Sequence, residues 1–279
     1  MERPPDSSSV VLSPCWRVLS PQEAVSERGT IRWGILDPAL TGRDNQDVTP
    51  TPKRPDNISE FAGACLESLS AGMLGERLSL GGAFGLSHYL EYRPTHDIDA
   101  WWIQPVPNEQ KLRIVKTLEA ALQVFGEVRT RSWGDVVSVE LRQKGKTVFS
   151  FQIADRSAEI HAPTPSPWPG GIRLDSLEDL IAGKMVALVE RGNPRDFRDI
   201  YTLCREGLTD TGRCWDLWQK RQDLSGENTD RARAALAVRT HLARIEQARP
   251  LERLESSERE KAEQLRIWFA QEFLRDLPD

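Results

Sequence analysis

Leu80-Gly81-Gly82-Ala83-Phe84-Gly85-Leu86-Ser87-His88-Tyr89-Leu90, followed after two residues by Arg93-Pro94-Thr95-His96-Asp97-Ile98-Asp99, is the stretch that decides the fold. A short apolar run at 78–80 ends in two glycines and opens a helix over 83–91. Glycines let backbone approach a ligand closely, and the first turn of a helix presents free N–H groups that favour an anion. A strand over 98–103 follows, alternating and rich in aromatic residues. Side chains two apart on a strand share a side, so Asp97 and Asp99 converge while Ile98 turns into the core. Converging carboxylates repel one another unless a cation lies between them. A hard divalent ion, Mg²⁺ or Mn²⁺, satisfies both and also binds the phosphates of a nucleotide. Gly-Gly by itself is common turn chemistry, and Asp-x-Asp by itself is a solvated strand rim. One short helix apart, they describe a site for metal-assisted phosphoryl chemistry.

Upstream, Ile58, Phe61, Cys65, Leu69 and Met73 recur at helical spacing, which predicts a helix capped by Asp56 or Asn57. Downstream, Leu112, Val115, Leu118, Leu122 and Phe125 form one stripe of a helix over 109–125. Strands are predicted at 128–130, 136–141 and 147–153, the last two joined by the turn Gln143-Lys144-Gly145. Four prolines and two glycines within 162–171 predict a loop and a domain boundary. Beyond it the pattern is helical. Ser176 with Asp179 is a capping-box-like start, Pro194 suits the first turn of the next helix, and further helices cover 211–223, 229–248 and 256–277. Trp133, Trp168, Trp215 and Trp218 read as packing residues, as does the terminal stripe of Leu265, Trp268, Phe269 and Phe273. The outline is an α+β fold in three parts: a poorly ordered extension at 1–55 with short apolar runs at 16–19 and 31–36, an α+β domain at 56–171, and a helical region at 172–279.

The 279 residues suffice for a catalytic domain with a helical extension. A net charge of −5 argues against a protein that coats nucleic acid, while leaving room for a nucleic-acid substrate in a local basic groove. Cys15, Cys65, Cys204 and Cys214 have no CxxC spacing and the histidines are scattered, so reduced thiols and no zinc site are expected. No apolar run approaches the ~18–20 residues of a membrane span. The opening MERPPDSSS lacks the basic-then-apolar layout of an export signal. A cytoplasmic location with no membrane partner is the expectation.

The Gly-Gly turn, helix and Asp-x-Asp resemble the DNA polymerase beta-like nucleotidyltransferase superfamily. The finer pattern, in the places held by Gly81, Gly82, Arg93, Thr95, Asp97, Ile98 and Asp99, is similar to the AbiEii/AbiGii toxin family. A second block, Ser176-Leu177-Glu178-Asp179-Leu180-Ile181-Ala182-Gly183-Lys184-Met185-Val186-Ala187-Leu188, then Arg191-Gly192 and Arg195-Asp196-Phe197-Arg198-Asp199-Ile200-Tyr201, is similar to that family's Lys-x-x-Ala helix and its later Asp-x-x-Asp helix. The resemblance spans about 57–206. It implies a mixed sheet with flanking helices, completed by a helical C-terminal region that supplies part of the active site. It also implies an NTP substrate, Mg²⁺ or Mn²⁺ on Asp97 and Asp99, and phosphates received by Gly81, Gly82, Thr95, Lys184 and Arg191. Lys184 reaches the triphosphate as a point charge. Asp196 positions the nucleotide or orients Lys184, whereas Asp199 is left between a functional role and that of a structural helix partner.

One departure stands out. Polymerase beta-like enzymes generally carry a third carboxylate on a neighbouring strand, as base or second-metal ligand. Here the polar slot between hydrophobic residues holds Gln152, which cannot take a proton. Asp155 lies beyond the strand end with the wrong parity, and Glu140 is on the preceding strand. Either a nearby carboxylate substitutes, or one metal suffices, or catalysis is weak. Trp101, on the same face as Asp97 and Asp99, is read either as a base-stacking platform or as a core or rim aromatic. The function expected from the resemblance is transfer of an NMP from an NTP to RNA, in particular tRNA, by the toxin of a toxin–antitoxin or abortive-infection system with a cognate antitoxin. The alternatives are a nucleotide-binding or regulatory module without turnover, and a nucleotidyltransferase acting on a protein or small molecule.

Overall fold

The computed structural model describes residues 50–275. The two apolar runs expected at 16–19 and 31–36 lie outside the described residues. The elements, in chain order, begin with α1 (Glu60–Ala71), β1 (Leu78–Gly81), α2 (Gly82–Ser87), β2 (Asp97–Trp102) and α3 (Asn108–Gln123). They continue with β3 (Glu127–Trp133), β4 (Val136–Gln143), β5 (Lys146–Ala154), β6 (Thr164–Pro165) and β7 (Arg173–Leu174). Helices then take over: α4 (Leu177–Glu190), α5 (Pro194–Arg205), α6 (Thr211–Ser225), α7 (Arg231–Ala248) and α8 (Ser256–Trp268), which ends in a π-helical turn at Phe269–Phe273.

The seven strands among the described residues join one mixed sheet in the order β3-β4-β5-β2-β1-β7-β6. β2 runs antiparallel to β1 but parallel to β5, and β7 runs parallel to β1. Alternation sorts the side chains of the central strands. Leu78, Leu80, Ile98, Ala100, Trp102, Phe149, Phe151 and Ile153 are buried on one face, in one cluster with Leu66 and Leu69 of α1 and Ile114, Leu118 and Leu122 of α3. The opposite face carries Asp97, Asp99 and Trp101 on β2 and Ser150 and Gln152 on β5. A second core holds the helices together, with Met185, Leu188, Phe197, Ile200, Trp215, Trp218, Val238, Trp268, Phe269 and Phe273 at its centre. Short as it is, α2 touches both cores: Phe84 belongs to the sheet cluster and Leu86 to the helical one. A Cβ on Gly85 would stand 2.6 Å from Leu180 Cδ2, so that glycine sets the close approach of α2 to α4. The glycine turn is thereby fixed from two sides.

Several boundaries differ from the sequence reading, each for a local reason. The cap of α1 is Ser59, whose side chain accepts from Ala62 N. Asp56 and Asn57 instead donate their backbone N–H groups to the Glu91 carboxylate at 2.5 and 3.1 Å. Met73 leaves the α1 stripe because the helix stops at Ala71; at φ 50° it turns the chain and is 82% exposed. In α3 the buried row is Ile114, Leu118 and Leu122, and Leu112 faces outward. α2 ends at Ser87, earlier than Pro94 would require, because Ser87 Oγ and His88 Nδ1 both hydrogen-bond the Phe84 carbonyl at 2.6 and 2.9 Å. Such side-chain bonds compete with continued helix.

The Pro/Gly segment at 162–171 is tied to the sheet. Trp168 is buried in the sheet core, where its Nε1 donates to His88 Nε2 at 2.7 Å. β7, just past that segment, adds to the sheet beside β1. The end of the expected N-terminal extension is also held: Lys53 N donates to His88 O, and Arg54 donates to Pro167 O while stacking over Trp168 at 4.4 Å. Trp168, Trp215 and Trp218 are packing residues, while Trp133 is only partly buried at the end of β3. Cys65 is buried, and burial pushes its thiol up to about 12. No described helix is long and apolar enough to cross a membrane.

Candidate active site

Strand register builds the site. Gly81 pairs with Asp99 across β1 and β2, Asp99 pairs with Gln152 of β5, and Gln152 with Ser138 of β4. One pleat along, Asp97 pairs with Ser150 and Ser150 with Glu140. Paired residues point to the same face, so the two acids, Ser150 and Gln152 share one patch. Asp97 is exposed and Asp99 half-buried. Gly82 presses on this pair. Its φ is +58°, a region that favours glycine, and a Cβ there would lie 2.8 Å from Asp99 Cγ and overlap Oδ2 outright. A Cβ on Gly81 would likewise collide with Trp101 Nε1. Both glycines are therefore demanded by the approach of backbone to the β2 side chains.

Charges from outside the sheet act on Asp99. Burial, followed by the charge of Asp97, pushes the Asp99 carboxyl above the ordinary range, against the pull of Lys184, Arg191 and Arg93. Lys184 is itself 8% exposed and bonds Asp199 Oδ2 at 2.8 Å. Arg93, from the loop between α2 and β2, grips the same carboxylate with two bonds of 2.8 Å. Burial alone would raise the Asp199 pKa, but the charges and hydrogen bonds of Lys184 and Arg93 outweigh it and hold it at about 2. Arg191 is the residue that closes α4, and it binds Asp196 with bonds of 2.9 and 3.0 Å. Asp196 also accepts from Asn193 N at 3.3 Å, completing the capping box of α5. Thr95 lies half-buried two residues before Asp97.

The family model for the nucleotidyl transferase AbiEii toxin of type IV toxin–antitoxin systems matches residues 64–279, most of the chain. The chain belongs to the AbiEii family. Among solved structures, JHP933 from Helicobacter pylori is similar at 17% identity and a TM-score of 0.43, covering 76% of this chain and 91% of that one. A second H. pylori structure, described as a candidate nucleotidyltransferase, is similar at 14% identity and a TM-score of 0.43, covering 75% and 93%. No curated protein matches.

In this AbiEii chain the two motif blocks meet, but with partners the sequence did not give. Lys184 is paired with Asp199, not with Asp196, because α4 and α5 pack so that Asp199 faces Lys184. Asp196, at the third position of α5, points back to the helix start and reaches Arg191 instead. Asp199 and Arg93 are thus parts of the cluster that the sequence reading did not place in it. Their signal was the Asp-x-x-Asp spacing and the Arg-Pro-Thr run, which name residue types but not partners. Neither acid considered as a third carboxylate joins Asp97 and Asp99. Asp155 hydrogen-bonds Gln104 and Lys111, at the other end of β2. Glu140 is 8% exposed and pairs with Arg131 at 3.6 Å, a full strand away from β2. Trp101 is half-buried with the Arg156 guanidinium 5.6 Å from its ring centroid.

Among the described residues no group of three or more His, Cys, Asp and Glu side chains is arranged to hold a metal. The patch does offer two carboxylates and an amide oxygen. Gln152 Oε1 is buried and has no hydrogen-bond partner. Oxygen donors of this kind suit a hard divalent ion, and a cation between the acids would offset the Asp97 charge that adds to burial in raising Asp99. The residues present fit Mg²⁺ or Mn²⁺.

Proposed function

We propose that this AbiEii protein transfers a nucleoside monophosphate from an NTP to an acceptor RNA, tRNA foremost, and that it does so in the cytoplasm as the toxin partner of a cognate antitoxin. The observation that carries this reading is the close approach of the Gly82 backbone to Asp99, two residues along β2 from Asp97, with the charges of Lys184, Arg191 and Arg93 acting on that same carboxyl. Asp97 and Asp99 hold a divalent ion, which when bound supplies charge to neutralise the phosphates of the donor. The Gly81 and Gly82 backbone, together with Thr95, receives phosphate oxygens, since neither glycine carries a side chain of its own. Lys184 and Arg191 stabilise the negative charge that builds on the leaving pyrophosphate. Asp199 and Asp196 keep those two cations in place. In the transfer the acceptor hydroxyl oxygen bonds to the α-phosphorus and its proton passes to solvent, while the bond to the bridging oxygen breaks and its electron pair leaves with pyrophosphate. The helical region at 172–279 completes the site in this scheme, since Lys184, Arg191, Asp196 and Asp199 all lie within it.

The test is incubation of the purified protein with each labelled NTP, Mg²⁺ and total RNA. The expected result is label on RNA of tRNA size with one or more NTPs, lost in Asp97→Ala and in Lys184→Met. No transfer to any RNA, with wild type equal to Asp97→Ala, overturns the reading. The neutral Gln152 favours a second reading, nucleotide binding without turnover. Calorimetric NTP binding with no pyrophosphate release would support it.

A further inference from the structure

The unpartnered oxygen of Gln152 has a direction that the hydrogen bonds around it dictate. Ser150 Oγ lies 2.8 Å from Asp97 Oδ1, and Gln152 Nε2 lies 3.1 Å from Ser150 Oγ. A carboxylate has no hydrogen to give, so the single hydroxyl hydrogen of Ser150 goes to Asp97. Ser150 must then accept its second bond, and only the amide NH₂ of Gln152 can donate it. The polarity of this chain fixes which end of the amide is which, without appeal to the near-identical shapes of oxygen and nitrogen. Oε1 is left turned from Ser150, buried and unsatisfied. Its neighbour in the same row of the sheet is Asp99, a second oxygen ligand. A buried carbonyl left unsatisfied is costly, so a persistent one calls for a partner.

We propose that Gln152 Oε1 is the third protein ligand of the divalent cation carried by Asp97 and Asp99, oriented for that role by Ser150. This rests on the function proposed above and specifies its metal site. The ligand set is two carboxylates and one neutral amide. With charge −2 from the protein, it balances one divalent ion and provides no third carboxylate to hold a second. Gln152 takes the cation-binding part of the usual third acid and drops the proton-accepting part. Ser150 is a positioning residue, acting on the cation only through Gln152 and Asp97.

The experiment is titration of the full chain with Mn²⁺ alone, following free Mn²⁺ by electron paramagnetic resonance, with thermal melting as the check on folding. Wild type is expected to bind one Mn²⁺, and Asp97→Ala to bind none. Gln152→Leu, which keeps the bulk and removes the oxygen, should melt near wild type and bind at least about tenfold more weakly. Gln152→Glu, which keeps an oxygen in place, should bind at least as tightly as wild type. Ser150→Ala should weaken binding as well, by letting the amide turn. Wild-type Mn²⁺ affinity in Gln152→Leu overturns the ligand assignment while leaving the transferase reading intact. Two ions bound by wild type overturn the one-cation site. No Mn²⁺ binding by wild type, together with no label transfer, is the failure of the underlying function instead.

Discussion

Replacing Gly82 with alanine separates two roles that a glycine can have at one position. The residue sits at φ +58°, and the left-handed region costs a non-glycine residue about 1–2 kcal/mol. For a chain of this size that is roughly a 2–8 °C fall in Tm. Gly145, in the β4–β5 turn, gives the control: its φ is +78°, and a Cβ there meets nothing within 4 Å. Gly145→Ala carries the backbone cost and nothing else. At Gly82 the new methyl would stand 2.8 Å from Asp99 Cγ and 2.9 Å from Asp99 Cβ, where ordinary contact between carbons is about 4 Å. The carboxylate must swing aside by about 1 Å, a displacement that costs about 10²-fold in rate when it misplaces a reacting group. Gly82→Ala should therefore lose at least as much Tm as Gly145→Ala, and it alone should lose Mn²⁺ affinity and label transfer. Equal Mn²⁺ binding and transfer in both would refute the argument, since the Gly82–Asp99 contact would then have no bearing on the site.

Asp199→Asn should be among the most destabilising conservative changes, because it leaves the buried Lys184 and Arg93 without their shared counter-charge. Breaking such a cluster costs about 3–5 kcal/mol, or a Tm lower by roughly 6–20 °C in a thermal melt. Acid should act on the same group. With its pKa held at about 2 against an ordinary 3.8, Asp199 contributes about 2 kcal/mol that is fully present above pH 3.8 and is lost as pH falls toward 2. Urea titrations across that window should show a shallower decline in Asp199→Asn than in wild type. Burial pushes the His88 pKa below 6.5, with both ring nitrogens already engaged by Phe84 O and Trp168 Nε1. The folded state resists its protonation, so stability falls as pH drops below about 6.5. His88→Leu should lose less Tm than wild type between about pH 7.5 and 5.5.

The α+β outline was legible because periodicity is a property of single elements: the β2 alternation and the long helices register in any window of sequence. The acid pair and glycine turn were legible for the same reason, being close in the chain. What escaped was pairing at a distance. Nothing local says that Lys184 meets Asp199, since that depends on how α4 packs on α5. Two-residue strands such as β6 and β7 are too short to show a period, and β7 is a strand only because β1 offers it an edge. The rich Pro/Gly content at 162–171 signalled irregular backbone correctly but said nothing of Trp168, which ties that segment to His88.

The two residues of β7 have a consequence for any attempt to take the protein apart. Asp175 N donates to Leu80 O at 3.0 Å, so the strand leading to the lysine helix is stitched to the very strand that ends in the glycine turn. A gene cut at 171/172 would sever the polypeptide between the two cores yet strip an inner strand from the sheet. Each fragment would be left with a raw edge, and only co-expression of both halves would give back the whole sheet.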